Sequence, residues 1–274
     1  MGEPRDIRLV CLDLSGTVIR GSSGPALDGA VEAVRCIAAA LPVRFVTNVT
    51  SATTARLAAH LREHGILDDE SALYTPATTA RRLLEPEGKA AGLLLVDGPS
   101  AEDYGWFRED PSGPTVLLGT EGHGLCIEAL QPAFRRLREG AALYALQTNR
   151  YFQRRDELVT DVGPVAAFLA YAADCEIRVL GKPSPLLFDT IARDAGIEKR
   201  EQMLMVGDDA EFDVSAPVAL GLAGVLVRTG KYRAGDETRV EPPPTATLDS
   251  IADLPGWLGL GPAAPGRDGG GSGG

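Results

Sequence analysis

The stretch that decides the fold reads RLVCLDLSGTV and spans residues 8–18. Its apolar run has the length of a β-strand and delivers one carboxylate, that of Asp13, to the C-terminal end, where a turn with Gly16 follows. In an open α/β sheet, ligands bind outside the carboxyl ends of the strands. A carboxylate at such a place can attack phosphorus and become an acyl phosphate. Asp13 is therefore the first candidate catalytic residue.

Helical and strand patterns alternate after this first strand. The spacing of apolar residues predicts a helix over 28–41 and a strand over 43–46. A second helix is predicted over 52–64, with Ser51 as its N-cap and Gly65 as its stop. This β-α-β-α order is typical of an α/β fold with a doubly wound, parallel, Rossmann-like sheet.

The C-terminal half resumes the same order. Ser184 and Pro185 supply an N-cap and a first-turn proline for a helix over 186–195. Apolar runs predict buried strands over 203–206 and 224–227, and the first of them ends at a Gly-Asp-Asp sequence. Both halves of the chain are therefore expected to contribute to one sheet.

The middle of the chain is too long for a single crossover. Thr47 and Lys182 are 135 residues apart, whereas one βαβ unit takes roughly 30 residues. The segment contains a helical pattern over 125–138, in which Pro132 kinks the helix or starts a new one, and strands predicted over 92–96, 115–118, 142–146 and 177–180. We expect a core domain of residues 1–78 and 180–261, a smaller inserted α/β cap of residues 79–179, and a disordered tail over 262–274.

Composition narrows the class of protein. The 274 residues carry 38 acidic and 27 basic side chains, a net charge of -11. That balance argues against nucleic-acid binding and against a polybasic membrane patch, and it fits carboxylates reserved for magnesium.

The four cysteines form no CxxC pair, and Cys11 and Cys36 lie in apolar patterns, so buried free thiols are expected. With no membrane span and no signal-peptide pattern at the N-terminus, we expect a cytoplasmic protein.

Four polar segments follow predicted strands, and their chemistry is complementary. Phosphoryl transfer needs a nucleophile, donors for the phosphoryl oxygens, a fixed cation and usually a metal. Each segment alone has an ordinary explanation as a turn or a helix cap. Together they supply the whole set, because Asp13 is a nucleophile, Thr47 and Asn48 are donors, Lys182 is a point charge and Asp208 is a hard oxygen ligand.

The order of these motifs, DxxGT, then hhhTN, then GKP, then GDDxxxD, resembles the haloacid dehalogenase superfamily, in the branch with an α/β cap between the second and third motifs. The resemblance implies that Asp13 attacks phosphorus and that Mg²⁺ is held by Asp13, the Ser15 carbonyl and Asp208. It also implies that Asp213, or Asp209, supports the metal through water. Thr47 and Asn48 would bind phosphoryl oxygens, and Lys182 would neutralise charge between nucleophile and phosphate.

Segments at 149–152, 161–164 and 228–232 extend the resemblance to a subgroup of phosphatases for pyrophosphate, phospholysine and phosphohistidine. In the cap, Asn149, Arg150 and Asp161 occupy segments that can face the substrate, although packing between core and cap explains each of them as well. The resemblance implies a small phosphorylated substrate or a phosphoamino acid as partner, and a homodimer.

Ser15 stands where most phosphatases of this superfamily keep an Asp as general acid and base. General acid–base catalysis of this kind raises the reaction rate by about 10²–10⁴-fold, and a serine hydroxyl cannot supply it near neutral pH. Absence of this general acid lowers the rate least for substrates whose leaving group departs without a proton from the enzyme. We therefore expect hydrolysis of pyrophosphate or P–N bonds and poor activity on sugar phosphates.

Two alternatives remain open from the sequence. Ser15 also fits a low-activity or pseudo-phosphatase that binds phosphate and metal as a regulatory protein, whereas Asp13, Lys182 and Asp208 argue for turnover. Another aspartate-nucleophile reaction, such as dehalogenation or C–P cleavage, is a second alternative. The acidic pair of Asp208 and Asp213 argues against metal-free dehalogenation, and no lysine that could form an imine is identified for C–P cleavage.

Overall fold

The computed structural model describes residues 6–120, 125–154 and 157–261, and the predicted tail over 262–274 lies outside them. The strands are β1 Leu9–Asp13, β2 Val43–Val46, β3 Leu73–Tyr74, β4 Ala91–Leu95, β5 Arg108–Glu109, β6 Thr115–Leu118, β7 Ala142–Ala145, β8 Tyr151–Arg154, β9 Glu157–Thr160, β10 Ile177–Val179, β11 Met203–Gly207, β12 Ala223–Val227 and β13 Ala246–Leu248. The α-helices are α1 Ala30–Ala38, α2 Thr54–Glu63, α3 Pro76–Leu84, α4 Ile127–Arg138, α5 Val162–Ala173, α6 Pro185–Ala195, α7 Ala216–Ala219 and α8 Leu254–Trp257.

The first sheet has six parallel strands in the order β13-β12-β11-β1-β2-β3. Side chains of β1 alternate between its two faces. Val10 and Leu12 pack in a cluster with buried residues of α1 and α2, whereas Leu9 and Cys11 pack in another with residues of α6. Helices therefore cover both faces of the sheet, which confirms the predicted doubly wound, Rossmann-like α/β fold.

The inserted segment forms a second parallel sheet in the order β10-β7-β6-β4-β5. Val116 and Leu118 face a cluster that includes α4 and α5, and Leu117 faces a cluster that includes α3. The antiparallel hairpin β8-β9 follows β7. The division of the chain at 78/79 and 179/180 stays a prediction, and the first of these boundaries falls inside α3.

Several local expectations need correction. The second helix begins at Thr54, because the Thr53 hydroxyl, and not that of Ser51, accepts the hydrogen bond from Arg56 N at 3.2 Å. The first helix ends at Ala38, three residues short of the predicted end. Helix α4 runs through Pro132, so this proline does not start a new helix.

The cysteines are free thiols, as expected, but they differ in burial. Cys11 is buried in β1, and burial raises the pKa of its thiol to about 12. Cys36 is only half-buried, and its Sγ lies 3.2 Å from the Gly261 carbonyl oxygen. The expectation that both thiols are buried is therefore wrong for Cys36. None of the helices in the described part of the chain has the length and apolarity to cross a membrane.

Candidate active site

The strand ends of the first sheet open into one cavity of about 940 Å³. Side chains from all four predicted segments line it, namely those of Asp13, Thr47, Lys182 and Asp208. Asp13 ends β1, Thr47 follows β2, and Asp208 follows β11, and these strands are neighbours in the sheet. The parallel arrangement therefore brings together residues that are up to 195 positions apart in the chain.

Asp13 and Lys182 form the centre of this cavity, and both are 5% exposed. The Lys182 ammonium donates to Asp13 Oδ1 and, at 2.7 Å, to Asp213 Oδ1, while the Thr17 hydroxyl donates to Asp13 Oδ2 at 3.1 Å. Burial raises the pKa of Asp13, although the Lys182 charge opposes it. Burial alone would lower the pKa of Lys182, but the two carboxylates raise it above its ordinary value. Lys182 is therefore held as a cation against the candidate nucleophile.

Three carboxylates crowd around this lysine. Oxygen atoms of Asp13, Asp208 and Asp213 lie within 4.8 Å of one another, and all three side chains are buried. Burial is the main reason that the pKa values of Asp208 and Asp213 are each raised to about 6. One ammonium against three carboxylates leaves an excess of two negative charges. A divalent cation that prefers oxygen ligands, such as Mg²⁺, fits both the charge and the donor set.

The surroundings of Asp208 show how closely the loops approach it. The Lys231 backbone N–H donates to Asp208 Oδ2 at 2.7 Å. Gly16 has a φ of +90°, and a Cβ atom there would lie 2.1 Å from the same oxygen. Only glycine therefore allows the loop after β1 to pass beside Asp208.

Asp213 and Asp209 differ in their partners. Asp213 uses Oδ1 for Lys182 and Oδ2 for the Asp209 N–H at 3.3 Å. Asp209 accepts from Glu211 N and Phe212 N, at 3.2 and 3.0 Å, and so caps the π-helical turn Ala210–Ser215. The acidic cluster includes Asp213 and not Asp209. This favours Asp213 as the outer support of a metal.

Thr47 and Asn48 lie at the cavity wall, as predicted, but their side chains are engaged differently. The Thr47 hydroxyl oxygen accepts a hydrogen bond from Val49 N at 3.2 Å, which leaves its O–H for a ligand. The Asn48 side chain instead forms hydrogen bonds with the backbone of Lys182. The predicted role of Asn48 as a donor to phosphoryl oxygens stays untested, and its contacts indicate a second role.

The inserted segment contributes Asn149 and Arg150 to the cavity wall, and their contact with a substrate stays a prediction. The structure does not bring Asp161 there. Its side chain is 3% exposed, accepts from Gln147 Nε2 at 2.9 Å, and caps α5 through Val162 N at 2.8 Å. Asp161 was a candidate because it belongs to a segment that extends the family resemblance, and its carboxylate caps helix α5 instead.

Other residues of the wall were not predicted as site residues. They are Val49, Thr148, Tyr151, Glu211 and Phe212. Asp209, the predicted alternative to Asp213 as metal support, and Lys231 also line the cavity. The Lys231 ammonium pairs with Asp209 Oδ2 at 3.1 Å. Two signals in the sequence could have placed Lys231 here, since its segment follows the predicted strand over 224–227 and also supported the family resemblance.

Ser15 lines the cavity two residues after Asp13. Its hydroxyl oxygen is buried and has no hydrogen-bond partner in the described part of the chain. No base among the described residues is therefore hydrogen-bonded to the Ser15 hydroxyl. The site lacks a general acid at this position, as the sequence predicts.

Known proteins resemble this chain in sequence and in fold. Residues 10–104 match a family model described as haloacid dehalogenase-like hydrolase, and residues 179–254 match a HAD-hydrolase-like model. The chain is 37% identical over 255 residues to human haloacid dehalogenase-like hydrolase domain-containing protein 2, covering 92% of this chain and 95% of that protein. It is 35% identical over 253 residues to phospholysine phosphohistidine inorganic pyrophosphate phosphatase of Bos taurus, covering 90% and 92%. A solved 4-nitrophenylphosphatase from Thermotoga maritima has a TM-score of 0.77 and 26% identity, covering 92% and 98%.

Proposed function

Because the chain belongs to the haloacid dehalogenase-like hydrolase family, we propose that it is a magnesium-dependent phosphohydrolase that works through an aspartyl-phosphate on Asp13. The observation that carries the proposal is the Lys182 ammonium between Asp13 and Asp213, beside the buried carboxylate of Asp208. This arrangement holds a nucleophile, a cation and oxygen ligands around one small space, as phosphoryl transfer requires.

In the proposed mechanism, an Asp13 carboxylate oxygen attacks phosphorus, and the bond to the leaving group breaks. Lys182 and the Thr47 hydroxyl stabilise the phosphoryl oxygens. Water then attacks the acyl phosphate, which releases phosphate and restores Asp13. Asp13, Asp208 and the Ser15 carbonyl would hold Mg²⁺, with Asp213 in support. When bound, the metal supplies positive charge that lowers the repulsion between the anionic substrate and the carboxylate.

The proposed substrates are pyrophosphate, whose phosphate leaving group is good by itself, or phosphoramidates such as phospholysine and phosphohistidine, whose nitrogen takes a proton from solvent before the P–N bond breaks. Ser15 supports this class because it offers no proton to a poor leaving group. Arg150 adds support for pyrophosphate, because it lines the cavity and forms no ion pair with any other described residue. The name of the Bos taurus relative states activity on all three compounds.

The proposal is tested by phosphate release in the presence of magnesium from four substrates: pyrophosphate, phospholysine, phosphohistidine and a sugar phosphate. The Asp13→Asn variant serves as the blank. We expect release from the first three and little from the sugar phosphate. Absence of turnover on all four would favour the alternative of a pseudo-phosphatase, and efficient sugar-phosphate turnover would refute the argument from Ser15.

Magnesium is expected to stabilise the folded protein, because it would balance the charge of the carboxylate cluster. At a concentration 100 times its Kd, a ligand specific to the folded state adds about 2.7 kcal/mol to the free energy of unfolding. Thermal unfolding with and without Mg²⁺ measures this effect as a rise in Tm. The rise should vanish in Asp208→Asn and persist in Asp209→Asn, which keeps a helix-capping side chain. Equal shifts in both variants would place the metal elsewhere.

A homodimer is the proposed assembly. Among the exposed large apolar side chains are those of Tyr151 and Leu158 in the hairpin, at 61% and 68%, and Tyr171 in α5, at 92%. The hairpin pairs Tyr151 with Thr160 and Gln153 with Leu158, so Tyr151 and Leu158 share one face of it. Adjoining exposed apolar side chains are a feature of interaction surfaces. Analytical ultracentrifugation at micromolar concentration should show a dimer that Leu158→Asp weakens. A monomer throughout this range would rule the proposal out.

A reducing, cytoplasmic location is also a proposal, and the four free thiols support it.

A further inference from the structure

Lys182 has an unusual place in the chain for a residue at the centre of the site. It lies three residues after β10, the last strand of the inserted sheet, and three residues before α6. Its ammonium group must nevertheless be held between Asp13 and Asp213, which belong to the first sheet and to the turn after β11. Any displacement of the inserted sheet would therefore be transmitted to Lys182 unless its backbone were anchored to the first sheet.

Asn48 provides such an anchor. Its Nδ2 donates to the Lys182 carbonyl oxygen at 2.8 Å, and its Oδ1 accepts from the Lys182 N–H at 2.7 Å. Asn48 is itself fixed to the first sheet, because it is the second residue after β2 and the residue between them, Thr47, donates its N–H to Tyr74 O at 3.0 Å. The two hydrogen bonds join residues that are 134 positions apart.

The chemistry of the amide fits this task. A side-chain amide is both a donor and an acceptor, so it can satisfy the N–H and the carbonyl of one residue at the same time. A carboxylate in its place would accept from the N–H but would set a negative oxygen against the Lys182 carbonyl. An alanine would leave both backbone groups without these partners.

We propose that Asn48 is a positioning residue, which acts by clamping the Lys182 backbone so that its ammonium stays between Asp13 and Asp213. The inference rests on the proposed function only in giving Lys182 a role at the bound phosphate. It differs from the expectation drawn from the sequence, in which Asn48 contributes an independent donor to phosphoryl oxygens.

A double-mutant cycle with Lys182→Met distinguishes the two roles. The probe is tungstate, a phosphate analogue, and its Kd is measured by calorimetry in the presence of Mg²⁺. If Asn48 acts through Lys182, Asn48→Ala weakens tungstate binding by about tenfold in the natural chain and by less than about twofold in the Lys182→Met background. Equal weakening in both backgrounds would overturn the proposal and make Asn48 an independent phosphate ligand.

The only other asparagine of the chain supplies a matched control. Asn149 lines the cavity from the cap and forms no hydrogen bond with Lys182 among the contacts of the described residues. Asn149→Ala is expected to change the tungstate Kd by the same factor in both backgrounds. A thermal unfolding curve for each variant checks that it is folded at the temperature of the measurement.

A crystal structure of Asn48→Ala gives the same answer without relying on affinity. We expect the Lys182 ammonium to have left at least one of its two carboxylate partners. If the ammonium has not moved, the proposal is overturned. This result also decides the question when tungstate binding to Lys182→Met is too weak to measure. Phosphate release by the natural chain, compared with Asp13→Asn, reports separately on the proposed function, so either idea can fail while the other stands.

Discussion

Asp13→Asn is expected to lower phosphate release by at least about 10³-fold, because loss of a covalent nucleophile removes the whole two-step route. The amide has nearly the shape of the carboxylate, and its oxygen can still accept a hydrogen bond from Thr17 or Lys182. The variant should therefore fold while it loses the attacking charge. Initial rates on pyrophosphate, in the presence of Mg²⁺, measure the effect.

The matched control is Asp209→Asn, which makes the same chemical change at another carboxylate of the cavity wall. Asp209 caps the turn Ala210–Ser215, and asparagine is as good a cap as aspartate. We expect this variant to keep its rate within about tenfold of the natural chain. If Asp13→Asn kept a comparable rate, Asp13 would not be the nucleophile.

A covalent readout supports the kinetic one. Acid quench during turnover, followed by mass spectrometry of proteolytic fragments, should find one phosphoryl group on the peptide that contains Asp13. The modification should be absent from Asp13→Asn. A phosphoryl group on a different peptide would move the chemistry to another residue.

The positions of Asp13, Thr47, Lys182 and Asp208 could be predicted from the sequence because each follows a short apolar run. Parallel strands place their carboxyl ends at the same edge of a sheet, so residues that directly follow neighbouring strands in the sequence lie close together in the fold. The residue types then indicate the chemistry. The same reasoning located the inserted sheet, since the length between Thr47 and Lys182 exceeds that of one crossover.

What the sequence did not reveal depends on contacts between distant segments or on weak periodicity. The pairing of Asn48 with Lys182 joins two loops, and no local pattern indicates it. Helix α5 was missed because its sequence, VGPVAAFLAYAA, is apolar on every side and so has no helical period. Helix α3 could have been found from Thr75 and Pro76, which supply an N-cap and a first-turn proline.

Ser15→Asp is expected to raise the hydrolysis of sugar phosphates by about 10²-fold or more, within the range of 10²–10⁴ that general acid–base catalysis supplies. Ser15 lines the cavity, and its buried hydroxyl has no hydrogen-bond partner among the described residues, so the substitution breaks no hydrogen bond of that group. Rates on pyrophosphate should change much less, because phosphate departs without a proton from the enzyme.

Ser15→Asn is the matched control, since asparagine has the size of aspartate but cannot donate or accept a proton at neutral pH. It should show no gain on sugar phosphates. The new carboxylate adds negative charge beside Asp13, Asp208 and Asp213, so the Tm rise caused by Mg²⁺ must be measured in each variant. If Ser15→Asp folds, keeps that rise and still gains nothing on sugar phosphates, the missing acid is not what restricts the substrates. The restriction would then come from the inserted segment, whose Arg150 and Tyr151 line the same cavity.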